Sequence, residues 1–315
     1  MKTDRATYKG FNCLAVENDR LRLVILPELG AKIASLVYKP QNFEVFFQPT
    51  DGMYRPAVYG GDFSRYDTAG ADEMYPTIEP CVYPYPGYTG AVLPDHGELW
   101  SVPWTVAAAG GSVAAEARGT ALPYVFRRTV TLSGSTVQLQ YAVKNSGDAP
   151  LYGMWAFHGL VACDETSRIV LPGADQVINV HDSRCLGPAA TLHRFPHTAD
   201  LEGRPYRLDR LQPRAAQKTE KFYVAGPVAS GAAALTLNRN RLVYRLNFPP
   251  DRVPYLGLWV NEGGFKGEYN CALEPSTGYY DSLAVTCRNG RLRPLLPGET
   301  LNWHLAIELS PLNNC

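Results

Sequence analysis

Apolar and polar residues alternate along most of this chain. Leu21, Leu23 and Ile25 share one face after an Asn18-Asp19 turn. Val137, Leu139, Tyr141 and Val143 alternate with Gln138, Gln140, Ala142 and Lys144. Leu301, Trp303, Leu305 and Ile307 alternate with Asn302, His304, Ala306 and Glu308. A period of two marks strands with one face on a core. Residues 31–38 are predicted as strand rather than helix because of their β-branched and aromatic content.

Turn chemistry separates the runs. Gly110-Gly111 and Ser133-Gly134-Ser135 each divide two strands, and residues 145–150 form a loop. Asn289-Gly290 after residues 283–287 suits a tight hairpin. Two stretches, residues 51–94 and 164–217, are too rich in Gly, Pro and charge for regular strands and read as long loops over a sheet. No long amphipathic helix and no internal repeat stands out. The pattern predicts an all-β fold, a large antiparallel β-sandwich, with residues 1–315 as one domain.

Charge narrows the possible partners. Lys plus Arg balances Asp plus Glu, 30 against 30, so neither a nucleic-acid nor a membrane partner is expected. A neutral small molecule such as a sugar fits this balance. The seven cysteines (Cys13, Cys81, Cys163, Cys185, Cys271, Cys287 and Cys315) are odd in number and form no CxxC pair, which argues against a zinc knuckle and for a reducing compartment. The start of the chain is polar, unlike a signal peptide, so a cytoplasmic location is expected.

Three residues are candidates for chemistry. His96 precedes Gly97 in Leu93-Pro94-Asp95-His96-Gly97, where a sharp turn would point a ring into a cleft. His158 ends an aromatic strand, where burial tunes an imidazole for proton transfer. Glu274 lies in an apolar strand, where a carboxylate is costly unless paired or used, and desolvation makes it a better base. Structural roles, a hydrogen-bonded loop histidine or a salt-bridged glutamate, account for each of these taken singly. None has metal-ligand spacing, so no metal is expected. His181, His193, His197 and His304 are read as structural. No nucleophile elbow, phosphate loop or dinucleotide fingerprint occurs.

Taken in order, several segments resemble the aldose 1-epimerase family of galactose mutarotase-like proteins. Residues 26–36 are similar to its opening hairpin, Asp95-His96-Gly97 to its His-Gly motif, and Trp155-Ala156-Phe157-His158 to the strand ending in its second histidine. Residues 256–260 and 271–275 are similar to its late strand pair, and Gly298-Glu299-Thr300 to its final turn. The resemblance implies a supersandwich that interconverts the anomers of an aldose. Glu274 would take the anomeric proton, His158 would protonate the ring oxygen and His96 would orient the sugar. No cofactor is implied.

Two departures narrow the substrate. The region where relatives carry a sugar-binding Arg reads Asp72-Glu73-Met74-Tyr75-Pro76-Thr77-Ile78-Glu79, and Glu98-Leu99-Trp100 follows His-Gly where relatives acting on sugar phosphates carry Arg. A phosphate dianion needs Arg or Lys forks, so an unphosphorylated sugar is expected. Asp72, Glu73 or Glu79 would accept bonds from its hydroxyls, unless they are surface charges. Trp259, Tyr75 and Trp100 are candidates to face the ring, with core placement as the alternative. A non-catalytic sugar binder or sensor on the same fold remains the competing function. A monomer or homodimer is expected.

Overall fold

The computed structural model describes residues 1–312, so Cys315 lies outside the described residues. Two sheets carry the fold. The larger runs Lys2–Tyr8, Phe11–Glu17, Leu21–Leu26, Lys32–Tyr38, Ala71–Met74, Ala156–Ala162, Tyr269–Ser276, Tyr255–Glu262, Lys218–Val224, Gln176–Asn179, Leu192–Arg194, with Phe43–Glu44 beside Lys32–Tyr38. The smaller runs Arg168–Val170, Ala232–Leu237, Leu242–Asn247, Thr300–Pro311, Thr136–Asn145, Tyr124–Ser133, Ser112–Arg118, Thr105–Ala109. Strand neighbours pair antiparallel, as the alternation predicts.

Alternation sorts side chains between the core and the far face of the large sheet. Phe222 pairs with Leu258 and Leu258 with Leu273, and all three join the apolar core with Phe157. From the other sheet come Phe126, Leu139, Tyr141 and Trp303, with Tyr141 and Trp303 stacked at 5.3 Å. The opposite face of the large sheet is also buried, under the long loops predicted from composition. The two stretches are not loop throughout, because Ala71–Met74, Gln176–Asn179 and Leu192–Arg194 within them are strands of the large sheet itself, and Cys81–Val82, Val92–Leu93 and His197–Ala199 are further short strands.

One expected hairpin is absent. Leu283–Asn289 is a seven-residue α-helix, and Gly290, at φ 62°, ends it with its N–H on the Cys287 carbonyl. The Asn-Gly pair thus serves as a helix stop, a role for which left-handed glycine is equally suited. Among the described residues no helix is long and apolar enough to cross a membrane. The six described cysteines are unpaired.

Glu262, buried at its strand end, accepts from the Gln212 N–H through Oε1, while Oε2 has no partner. Burial pushes its carboxyl up to about 7, against the pull of the Gln212 N–H and Lys218. Because the folded value exceeds the unfolded one, the folded state holds the extra proton between about 4.5 and 7. Stability from this group is therefore lost as pH rises through that window. Glu262→Gln removes the effect. Relative to wild type, it should gain up to about 3 kcal/mol between pH 5 and pH 8 in urea unfolding. An unchanged difference at the two pH values would discard this assignment.

Candidate active site

The centre of the large sheet sets a row of functional groups side by side. Pairing of Ala156 with Ser276 and of Leu160 with Ala272 puts His158 opposite Glu274 on adjacent strands. His158 also pairs with Asp72, and Glu274 with Gly257. Same-parity neighbours share a face, so His158, Glu274, Lys221, Tyr223 and Trp259 all rise from the side away from the core. Gly257 and Ala272 are small, which leaves room over the strands for Lys221 to reach Glu274. A Cβ on Gly257 would approach the Tyr223 ring to 3.0 Å.

A turn brings His96 over this row. His96 has φ 58° and Gly97 φ 71°. A Cβ on Gly97 would lie 2.3 Å from the Tyr75 carbonyl oxygen, so only glycine fits. The His96 N–H donates to the Ile78 carbonyl at 2.6 Å, and Nδ1 lies 2.8 Å from Asp95 Oδ1. Phe63 stacks on the His96 ring at 4.0 Å and meets His158 edge-on at 5.3 Å. The two imidazoles are 5.3 Å apart, nearly perpendicular. Behind the turn, buried Glu98 accepts from Tyr59 Oη and from the Thr120 and Ala121 N–H groups, which fastens the motif to the next loop.

Between these elements lies a cavity of about 220 Å³, whose walls include Phe63, His96, His158, Lys221, Trp259 and Asp281. Burial holds His158 well below the usual imidazole range, helped by His96, Lys221 and Lys32, so it is neutral at pH 7. Its Nδ1 is buried without a partner. Glu274 is wholly buried and does not itself form the wall. Its Oε2 accepts from Lys221 Nζ, and its Oε1 is free. Burial pushes Glu274 up, against the attraction of Lys221. Burial alone would lower Lys221, but Asp281, at 3.8 Å, and Glu274 outweigh it and keep the ammonium charged. The wall contains acids (Glu79, Asp95, Glu268, Asp281) and no arginine.

The other sequence candidates divide. Trp259 lines the cavity, its Nε1 donating to Asn270 Oδ1 at 3.2 Å, and Glu79 lies at the rim. Tyr75 does not reach the cavity. Its ring packs on Tyr124 and Phe126 inside the sandwich, on the core side that it shares by alternation with Glu73. Asp72 is on the right face, but Lys32 claims it at 2.5 Å and it lies behind the wall, with burial raising its carboxyl to about 6. Adjacent Glu73 points the other way, into the core, and bonds Arg128. Trp100 backs the site, donating Nε1 to the Asp95 carbonyl. The sequence assigns no role to Asp281 or Phe63, it marks the segment 221–223 only as similar to a substrate-contacting spot in relatives without giving Lys221 a role, and it reads His181, which is at the cavity rim, as structural.

The fold is that of galactose mutarotase-like proteins. A protein from Synechocystis sp. PCC 6803 superposes with a TM-score of 0.74 at 14% identity, over 99% of this chain and 100% of that one. A candidate aldose 1-epimerase from Escherichia coli K12 gives 0.68 at 15% identity, covering 95% and 98%. A galactose mutarotase-like protein from Clostridium acetobutylicum gives 0.69 at 13% identity, covering 98% of each. Neither a protein-family model nor a curated protein sequence matches the chain.

Proposed function

We propose that this protein is an aldose 1-epimerase acting on an unphosphorylated aldose in the cytoplasm. The observation that carries the reading is the register pairing of His158 with Glu274 beneath a cavity walled by His96 and aromatic rings. An acidic wall without arginine suits hydroxyl groups and repels a phosphate dianion.

In this reading Lys221 and Glu274 act as one base. Nζ takes the proton of the anomeric hydroxyl as it hands one of its own to Glu274. His158, in its protonated form, gives a proton to the ring oxygen, and the bond from C1 to that oxygen breaks. Rotation about C1–C2 and the reverse transfers close the ring on the other face. Protonated His158 is scarce at pH 7 but is a strong acid for the same reason. Ionised Glu274 is lost on acidification. The rate should therefore rise as pH falls below 6.5 and then drop as the carboxylate fills.

The test is anomer interconversion by polarimetry or NMR over a panel of free aldoses. Acceleration of at least one sugar over buffer, with an optimum below pH 6.5, is expected. One specific observation favours a second reading. Glu274 is covered by Lys221 and His158 is neutral, a resting state that would serve a sugar sensor equally well. Tight binding of a sugar with no acceleration would establish the sensor and remove the enzyme.

A further inference from the structure

At the cavity rim, one ligand atom each from Glu79, His181 and Asp281 lie within 4.8 Å of one another. They come from three separate loops that are tied together. The Ile78 and Glu79 N–H groups both donate to the Asp281 carbonyl, and Tyr280 Oη donates to the Asn179 carbonyl. The Asp281 side chain is almost wholly buried, yet its Oδ1 has no hydrogen-bond partner. Such an atom costs about 1–3 kcal/mol when left bare. His181 Nε2 is 3.7 Å from Glu79 Oε1, with the ring exposed and free to turn.

Charge points the same way. Glu79, Glu274 and Asp281 surround a single ammonium, Lys221, so carboxyl groups outnumber cations there three to one. One imidazole with two carboxylates is a ligand set for a first-row divalent cation rather than for calcium, which prefers oxygen alone. Bonds of about 2.0–2.2 Å require ligand atoms to close to about 3–3.5 Å, a small side-chain movement from the arrangement seen.

We propose that Glu79, His181 and Asp281 bind one divalent cation such as Mn²⁺ or Zn²⁺ at the rim of the cavity. Its open positions face the cavity, where neighbouring hydroxyls of a sugar would complete them. That last role rests on the sugar reading, whereas cation binding does not. The sequence offers no spacing that predicts the site, because its ligands are about a hundred residues apart.

The experiment uses Mn²⁺ alone, with no sugar, on the full chain stripped with chelator. The solution electron paramagnetic resonance signal of free Mn²⁺ should fall by one equivalent per chain, with nitrogen modulation from a bound imidazole. Asp281→Asn and His181→Gln should each weaken binding at least about tenfold, and His181→Gln should also abolish the nitrogen modulation. His181 is exposed, so its replacement leaves the fold intact. Undiminished free Mn²⁺ signal overturns the proposal, as does full binding in both variants. Either failure leaves the mutarotase reading standing, and a failure of anomer interconversion leaves the cation site standing.

Discussion

Glu274→Gln slows anomer interconversion by about 10²–10⁴-fold, the range typical for loss of a positioned acid or base. The substitution keeps the shape of the side chain and removes its negative charge together with its ability to accept a proton. Lys221 retains Asp281 at 3.8 Å, so the ammonium is not stranded and the fold survives. Lys221→Met is a harsher change, because it leaves two buried carboxylates without their cation. Loss of one partner of a buried pair costs about 3–5 kcal/mol. The double variant Lys221→Met with Glu274→Gln should regain part of that stability, because Asp281 still lacks its cation, and none of the rate. His158→Asn should also be slow, with its acid-side optimum lost. The measurements are polarimetry for rate and urea unfolding for stability. A folded Glu274→Gln enzyme with wild-type rate would remove Glu274 as the base, and Lys221 with it.

Much of this arrangement was legible in the residue pattern. Period-two runs located the strands 137–143 and 301–307, and the apolar settings of His158 and Glu274 singled them out before their pairing was known. Alternation also carries information that goes beyond finding strands. Asp72 and Glu73 are neighbours on a strand, so they cannot both face a sugar. Register sends one to the site face and the other to the core. The role of Lys221 was not legible, because a lysine within a strand is ordinary until its partner, 53 residues further on, is placed beside it. Tyr75 misled because aromatic residues near an acidic loop fit both a sugar wall and a core, and the choice depends on which strand face it shares, here that of Glu73. The short helix misled because seven residues with Val, Thr and Cys have little helical preference, and its stop signal is shared with hairpins.

Arg128→Met should destabilise the protein by about 3–5 kcal/mol, on the order of 10 °C in Tm. Arg128 and Glu73 are fully buried between the two sheets, Nη1 donating to Glu73 Oε1 at 2.8 Å. Tyr141 Oη donates to the same oxygen at 2.9 Å, and Trp155 Nε1 to Oε2 at 2.6 Å. Arg128 Nη2 reaches the Ala31 carbonyl, joining the smaller sheet to the start of Lys32–Tyr38. The carboxylate is thus satisfied by three donors, and only one of them carries charge. Removing that charge leaves an anion in a core with two neutral donors, which cannot balance its desolvation. Glu73→Gln should be costly for the mirror reason, since it strands a guanidinium whose Nε already lacks a partner. Combining Glu73→Gln with Arg128→Met removes both charges and should recover most of the loss. The interaction energy follows from a double-mutant cycle in urea. Single variants within about 1 kcal/mol of wild type would show that the pair is not a stabilising contact between the sheets. The expected outcome is strong coupling, because Glu73 lies on the strand next to His158, and a charge stranded there strains the one element that must hold the imidazole in register with Glu274.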